Sequence, residues 1–250
     1  MNYVNCIDTF FAKEIKKERI KGHHPSGGAS CLRQLYWKWN DEKSSNPPDT
    51  SALIKMKFGD LIHEFLQKKV IAGSFPDAIF EKSFEWKVPD LKFPIVGSPD
   101  VIIPSLNEGI EIKSAYGMGI RQIKENGPKP EHILQASLYH EMTGVPSWEF
   151  VYIARDNSDR VQFHLDYKQE TVDKAIDRFK ALEKHLEAKT LPNRDFKVII
   201  AEDGHIQEER TSNKIKYKSM WQCLYCSHMD KCWAGAKPSD GIIIPEKKEK

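Results

Sequence analysis

The stretch IVGSPDVIIPSLNEGIEIKS, residues 95–114, is the most informative part of the sequence. It contains two apolar strand patterns, 95–103 and 109–114, joined by a short polar turn that begins with proline. Within the second pattern, Glu111 and Lys113 point to one face while the neighbouring isoleucines point to the other. The stretch therefore predicts an antiparallel hairpin that is buried on at least one face.

This hairpin brings acidic side chains together. If the turn centres on Ser105 and Leu106, Asp100 lies opposite Glu111, and two like charges in that position destabilise a sheet. A bound cation relieves the repulsion, and two carboxylates suit Mg²⁺ or Mn²⁺. Lys113, beside such a cation, can orient an attacking water or offset negative charge. An isolated E-x-K is most often a solvated polar face, but the apolar neighbours here make unpaired charges costly.

The rest of the chain predicts a mixed central sheet flanked by helices, the α/β (α+β) class. Beyond about residue 190 the pattern is irregular. The apolar spacing predicts helices over 4–15, from about 30, over 53–66, 131–142 and 172–186, and further strands over 84–88 and 148–154.

Two predicted helices carry polar residues at four-residue spacing, which places them on one face. His63 follows Gly59, and Tyr139 follows Gln135. A single histidine of this kind is most often structural. A glutamine and a tyrosine presented together are typical of an ordinary helix flank or of contacts to a phosphate or a base.

Three cysteines fall within ten residues near the end of the chain: Cys223, Cys226 and Cys232. Such a set is typical of a metal site, either tetrahedral zinc or an iron–sulfur cluster. The candidates for a fourth ligand are Cys31, Cys6 and, for zinc, His228.

Just before the cysteines, basic and aromatic residues alternate. The segment is either a groove for a nucleic-acid strand or a solvated loop. Its members are Lys214, Lys216, Tyr217, Lys218 and Trp221.

Composition narrows the class of protein. Of the 250 residues, 40% are hydrophobic, which is enough for a sizeable core. The net charge of +2 does not by itself predict a nucleic-acid partner. We expect no membrane span, because no run of about 18 apolar residues occurs. With no signal-peptide pattern at the N-terminus, we expect a reducing, cytoplasmic setting.

The order of these motifs resembles the RecB-like, iron–sulfur branch of the PD-(D/E)xK nucleases, which includes the AddB nuclease domain, CRISPR-associated adaptation exonucleases and phage relatives. The shared order is one early cysteine, a histidine, the Asp and E-x-K hairpin, Q-x-x-x-Y, and three late cysteines. The resemblance spans about residues 26–233. Leu32 departs from it, since many relatives have proline beside the cysteine.

The resemblance implies a role for each matching residue. His63, Asp100, Glu111 and the backbone carbonyl of Ile112 would bind Mg²⁺ or Mn²⁺, and Lys113 would be the catalytic lysine. Gln135 and Tyr139 would position DNA. The ligands of a 4Fe–4S cluster would be Cys31, Cys223, Cys226 and Cys232. Cys6 matches nothing in the pattern.

The leading hypothesis is therefore a metal-dependent DNA nuclease that acts on ends or single strands in a bacterial, archaeal or phage-encoded intracellular setting, with protein partners unspecified. The alternatives are a non-catalytic DNA-binding module, a redox protein, and a nuclease that holds zinc in place of iron. We expect one nuclease domain over 1–237, with its core at about 53–190, a cluster region of about 26–40 and 214–235, and a flexible tail over 238–250.

Overall fold

The computed structural model describes residues 3–12, 21–196, 198–200, 206–207, 209–211, 214–217 and 221–235. These residues divide into two compact units. The first comprises the described residues up to 29 together with 49–183, and the second comprises 30–48 together with the described residues from 184 onward. Each unit is described by itself.

The helices follow the predicted order and add elements that the sequence did not predict, among them α5 and a π-helical turn at Leu66–Ile71. The α-helices are α1 (Tyr3–Ala12), α2 (Leu32–Trp39), α3 (Thr50–Phe65), α4 (Ala72–Ser74), α5 (Gly117–Asn126), α6 (Pro130–Thr143), α7 (Gln169–Ala188), α8 (Trp221–Leu224) and α9 (Met229–Trp233). Short 3-10 turns occur at Pro25–Gly27 and Pro104–Leu106.

The strands form one larger sheet and three two-stranded sheets among the described residues. They are β1 (Ile79–Phe80), β2 (Phe84–Trp86), β3 (Ile95–Gly97), β4 (Val101–Ile103), β5 (Glu108–Ala115), β6 (Ser147–Ala154), β7 (Arg160–His164), β8 (Ile199–Ile200), β9 (Ile206–Gln207), β10 (Glu209–Thr211) and β11 (Lys214–Tyr217).

The five-stranded sheet of the first unit has the order β1-β4-β5-β6-β7. Its β5–β6 pair is parallel and the other pairs are antiparallel. A mixed sheet flanked by helices is the fold class that the sequence predicted, and that prediction is confirmed. The small sheets pair β2 with β3 in the first unit, and β8 with β9 and β10 with β11 in the second.

The two faces of the sheet are packed differently. Ile110 and Ile112 of β5 lie in an apolar cluster with Val101, Ile103 and residues that include Leu66 of the π-helical turn. The larger core lies on the other face, where buried residues of α6 and α7 pack over β6. Because side chains alternate along a strand, Glu111 and Lys113 of β5 point towards α6.

The sequence was wrong about three local features. The single strand predicted over 95–103 is two strands, β3 and β4, in different sheets, because the intervening Pro99 has no N–H for a ladder. The region beyond residue 190, predicted as irregular, contains the short strands β8–β11. Cys31 is the residue that caps α2 and not part of the helix.

Candidate active site

The β4–β5 hairpin places Asp100 and Glu111 beside each other. Val101 pairs with Ile110, so the next residues outward, Asp100 and Glu111, occupy facing positions, as predicted. Asn107 closes the turn with a left-handed backbone (φ 53°), a conformation that asparagine tolerates. The Asp100 Oδ2 atom accepts a hydrogen bond of 2.7 Å from the backbone N–H of Ile112. This bond fixes the Asp100 carboxylate against β5.

Glu111 is a buried carboxylate that is only half satisfied. Only 1% of the surface of this residue is exposed to solvent. Oε1 accepts hydrogen bonds from the Lys113 ammonium and, at 2.7 Å, from Gln135 Nε2. Oε2 is also buried and has no hydrogen-bond partner among the described residues. Burial, and then the charge of Asp100, raise the pKa of Glu111 to about 7, although Lys113 and His63 oppose the change.

His63 approaches Asp100 from helix α3. Its Nδ1 atom lies 3.6 Å from Asp100 Oδ1. One turn earlier, a Cβ atom on Gly59 would lie 3.2 Å from Ser114 Oγ, so the missing side chain lets α3 run close to β5. Burial lowers the pKa of His63, but the proximity and the charge of the Asp100 carboxylate raise it, and the net change is upward. The face of α3 that carries Gly59 and His63 is therefore the face that lies over the carboxylates.

Helix α6 contributes Gln135 and Tyr139 to the same place. Gln135 Oε1 lies 3.3 Å from Lys113 Nζ, so this amide bridges the lysine and Glu111. The Tyr139 hydroxyl donates to the carbonyl of Ser98 at 3.1 Å. Burial, and then the nearby charge of Glu111, raise the pKa of Tyr139. Gln135 thus holds Glu111 and Lys113 in place, and a role for Gln135 or Tyr139 in positioning DNA stays a prediction.

A cavity of about 240 Å³ opens beside Tyr139. It reaches the residues just before Asp100, and serine and histidine side chains supply its polar groups. Its lining is His24, Pro25, Ser26, Ser83, Val96, Gly97, Ser98 and Tyr139.

Gln67 is a site residue that the sequence analysis missed. It is buried, with 4% exposure, in the π-helical turn that continues α3. Its Nε2 atom donates to the backbone carbonyl of Asp100 at 3.0 Å and reaches Glu81 Oε1 at 3.4 Å. The available signal was its spacing, since Gln67 follows His63 by four residues, as His63 follows Gly59. Gln67 therefore anchors the backbone of Asp100.

In the second unit, the four predicted cysteine ligands lie near one another. Burial, and then the proximity of Cys31 and Cys232, raise the pKa of the Cys223 thiol to about 12. The pKa of Cys226 is also raised, by burial first and then by Cys31 and Cys232. Cys223 and Cys232 pack beside Val198 and Trp233 in a small apolar cluster. The four thiols are thus half-buried and near enough to influence one another's ionisation.

Neither group of residues forms a ready metal site. Among the residues that the structure describes, no three His, Cys, Asp or Glu side chains form a group arranged to hold a metal ion. The metal and the iron–sulfur cluster therefore stay predictions.

The basic and aromatic segment lies partly outside the described residues. Lys214, Lys216 and Tyr217 belong to β11, and Trp221 begins α8. Lys218 and the tail over 238–250 fall outside the part of the chain that is described. The proposed groove for a strand stays a prediction. Within the described part, no helix combines the length and the apolar content needed to cross a bilayer.

Comparison with known proteins finds likeness in structure but not in sequence. No protein-family model and no curated protein matches the chain. The solved structure of SSO0001 matches with a TM-score of 0.54 at 17% identity, covering 90% of this chain and 91% of that one. LHK-Exo, an alkaline exonuclease from Laribacter hongkongensis solved in complex with dAMP, matches with a TM-score of 0.50 at 19% identity, covering 67% and 89%. The chain shares its fold with these proteins.

Proposed function

We propose that this protein is a metal-dependent DNA nuclease of the PD-(D/E)xK type that acts on DNA ends or single strands. The observation that carries the proposal is the buried Glu111, whose Oε2 atom lacks a hydrogen-bond partner among the described residues, beside Asp100 and Lys113. Burying a charge in this way is costly unless a cation or a chemical role compensates. The fold shared with an alkaline exonuclease solved with dAMP supports DNA as the substrate.

The residues present fit a hard divalent cation. Two carboxylates, Asp100 and Glu111, would hold Mg²⁺ or Mn²⁺ together with the Ile112 carbonyl and His63. Such a cation would stabilise the charge that develops on the phosphate and ease deprotonation of the attacking water. The unpaired Glu111 Oε2 atom and the raised pKa of Glu111 are the features that a cation would relieve.

The remaining side chains would orient the carboxylates and neutralise charge on the phosphate. Lys113 contacts Glu111 and Gln135, which directs its ammonium towards the acidic pair. There it would offset negative charge on the reacting phosphate. Gln135 donates a hydrogen bond to Glu111 and accepts one from Lys113. These two bonds fix the orientation of both side chains. Gln67 and Ile112 hold Asp100 through its carbonyl and its carboxylate.

The proposal includes a structural 4Fe–4S cluster bound by Cys31, Cys223, Cys226 and Cys232. The support is the burial of the Cys223 thiol and its proximity to Cys31 and Cys232, which together raise the pKa of Cys223 to about 12. Thiols that resist ionisation in the absence of a metal would be stabilised as thiolates by a metal centre. Zinc suits four thiolates equally well in ligand type, so elemental analysis for iron and zinc decides between them.

The experiment that tests the proposed function is digestion of end-labelled and circular DNA, single- and double-stranded, with Mg²⁺ or Mn²⁺. We expect cleavage that stops on addition of EDTA and returns with added Mn²⁺. Degradation of linear but not circular DNA would identify an exonuclease. Tight binding without cleavage of any of these substrates would identify a DNA-binding module instead, and cleavage at an undiminished rate in EDTA would exclude the metal site.

Lys113→Ala is expected to slow cleavage by on the order of a hundredfold or more, because it removes a group that stabilises charge in the transition state. The affinity for DNA should change far less. Single-turnover rates and binding constants, measured side by side, separate the two effects. Lys174→Ala is a matched control, because Lys174 is exposed and pairs with Glu170 on α7. A near wild-type rate for Lys113→Ala would rule out this role for the lysine.

Gln67→Leu is expected to weaken the metal site without removing a ligand. The Asp100 carbonyl loses its 3.0 Å donor and keeps only the longer bond of 3.4 Å from the Glu81 N–H, and the loss of one such hydrogen bond costs about 0.5–1.5 kcal/mol. We expect the Mn²⁺ concentration for half-maximal cleavage to rise by roughly tenfold. The matched control is Gln122→Leu, since Gln122 is exposed on α5. An unchanged Mn²⁺ dependence with a lowered melting temperature would mean that Gln67 serves stability alone.

A further inference from the structure

Strand β5 continues past the candidate site to an exposed aromatic residue. Lys113 is followed by Ser114, Ala115 and then Tyr116, so the tyrosine lies about 10 Å from the lysine along the strand. Tyr116 precedes the first residue of α5 and is 48% exposed. Near it in sequence, Met118 is 77% exposed. These side chains belong to neither apolar cluster of the first unit.

Although exposed, the Tyr116 ring is held firmly. The guanidinium of Arg155 lies over the ring, 4.8 Å from its centre. Arg155 is itself fixed at two points, since its backbone N–H donates to the Ala115 carbonyl at 2.8 Å and its side chain donates to the Lys55 carbonyl at 2.6 Å. A ring that is already fixed loses little conformational freedom when a ligand binds to it. Such fixing favours recognition of a ligand.

The next residue, Gly117, completes this support. Its backbone N–H donates to Asp156 Oδ1 at 2.7 Å. A Cβ atom at Gly117 would lie 2.5 Å from Asn157 Nδ2, so the missing side chain leaves room for Asn157 against the start of α5. The loop that carries Arg155 is thereby held against the start of α5.

The neighbouring turn of α3 adds positive charge and a second ring. Lys55 is exposed, and Phe58 is 55% exposed. The same turn contains Gly59, which lies against Ser114 beside Lys113. We name five exposed or half-exposed residues of these neighbouring segments the Tyr116 platform: Lys55, Phe58, Tyr116, Met118 and Arg155. Arg155 connects the Tyr116 ring to the Lys55 carbonyl, and strand β5 leads from Tyr116 back to Lys113 of the candidate active site.

We propose that the Tyr116 platform binds the DNA strand next to the scissile phosphate, with a base stacked near Tyr116 and the backbone beside Lys55. This inference rests on the proposed function. Stacking of bases on rings and neutralisation of phosphates by nearby cations is the chemistry that binds single strands without sequence preference. The distance of about 10 Å from Lys113 places the platform within one or two nucleotides of the reacting phosphate.

The test compares Tyr116→Ala, Tyr116→Phe and the control Leu106→Ala, which trims an exposed apolar side chain in the turn between β4 and β5. All are made in a Glu111→Gln background so that the strand stays intact. Fluorescence anisotropy measures binding of a short oligothymidylate and of an abasic strand of equal length. We expect Tyr116→Ala to weaken oligothymidylate binding by roughly tenfold, and the other two variants to change it by less than about twofold. The abasic strand should bind all variants alike.

Three results would overturn the inference on its own, and a fourth would overturn the proposed function with it. Tyr116→Ala binding like Tyr116→Phe excludes stacking on the ring, and an equal loss on the abasic strand excludes contact with a base. A dimer that dissociates in Tyr116→Ala, with DNA binding unchanged, would assign the platform to a second copy of the chain. Cleavage by protein with Glu111 intact, measured separately with Mn²⁺, shows whether the proposed function survives such a result. Absence of DNA binding in every variant, together with absence of cleavage by the protein with Glu111 intact, would overturn both.

Discussion

Glu111→Gln is expected to abolish cleavage while leaving the protein folded and more resistant to heat. The amide cannot supply a negative charge to a cation, so the rate should fall by at least the hundredfold typical of a lost electrostatic contribution. The wild-type carboxylate is buried beside Asp100, and its pKa of about 7 means that ionising it costs the metal-free fold free energy. Removing that charge should therefore raise the melting temperature by about 2–4 °C for each kcal/mol recovered.

The gain in stability should depend on pH. The folded-state pKa of Glu111 is raised to about 7 from a usual 4.5, so the folded protein binds the proton more tightly than the unfolded chain does. The stability of the metal-free wild type therefore falls as pH rises from about 4.5 to about 7. Glu111→Gln has no such proton to lose. The difference in melting temperature between the two proteins should grow across this window and level off above it.

Glu108→Gln is the matched control for this prediction. Glu108 begins the same strand and pairs with Ile103 at the far end of the hairpin. It should keep full cleavage activity. Mn²⁺ should raise the melting temperature of the wild type and of Glu108→Gln, but not that of Glu111→Gln. If Glu111→Gln cut DNA at the wild-type rate, or if Mn²⁺ stabilised it as well as the wild type, the carboxylate would not be a metal ligand.

The sequence predicted the centre of the site because the pattern there is local. The pairing of Val101 with Ile110 follows from a short turn, and alternation along a strand then separates Glu111 from Ile110 and Ile112. One proline-led turn thus sets which residues face each other. Helical spacing predicted a shared face for Gln135 and Tyr139 for the same reason, because residues four positions apart lie on one face whatever the helix packs against.

Contacts between distant segments could not be predicted in this way. Gln67 binds the carbonyl of Asp100, 33 positions further along. Its spacing from His63 indicates only a shared helix face, because a backbone acceptor leaves no trace in the sequence. The exposed Tyr116 was overlooked because its neighbour, Arg155, comes from the end of another strand. The break at Pro99 was missed because Val96 and Val101 are both apolar, and hydrophobicity alone does not show that they enter different sheets.

Cys31→Ala is expected to lose the bound cluster and to unfold at a much lower temperature. About 190 residues separate Cys31 from Cys223, so a cluster that joins them closes a very long loop. The chain-entropy model for such a cross-link gives a stabilisation of about 5 kcal/mol, comparable to the whole stability of a typical domain. At about 2–4 °C for each kcal/mol, the melting temperature should fall by on the order of 10 °C or more. The measurements are thermal unfolding, elemental analysis for iron and zinc, and visible absorbance of protein purified without oxygen.

The matched control is Cys6→Ala, because Cys6 is an exposed residue of α1 in the first unit. It should keep both the metal and the melting temperature. Cys31 caps α2, where it supplies no side-chain hydrogen bond to the helix, so the loss of a helix cap does not confuse the comparison. If Cys31→Ala retained its metal and its melting temperature, the four-cysteine assignment would fail. A variant that stayed folded and bound DNA but no longer cut it would give the cluster a direct part in cleavage, because Glu111 and Lys113 on β5 would then be intact yet insufficient.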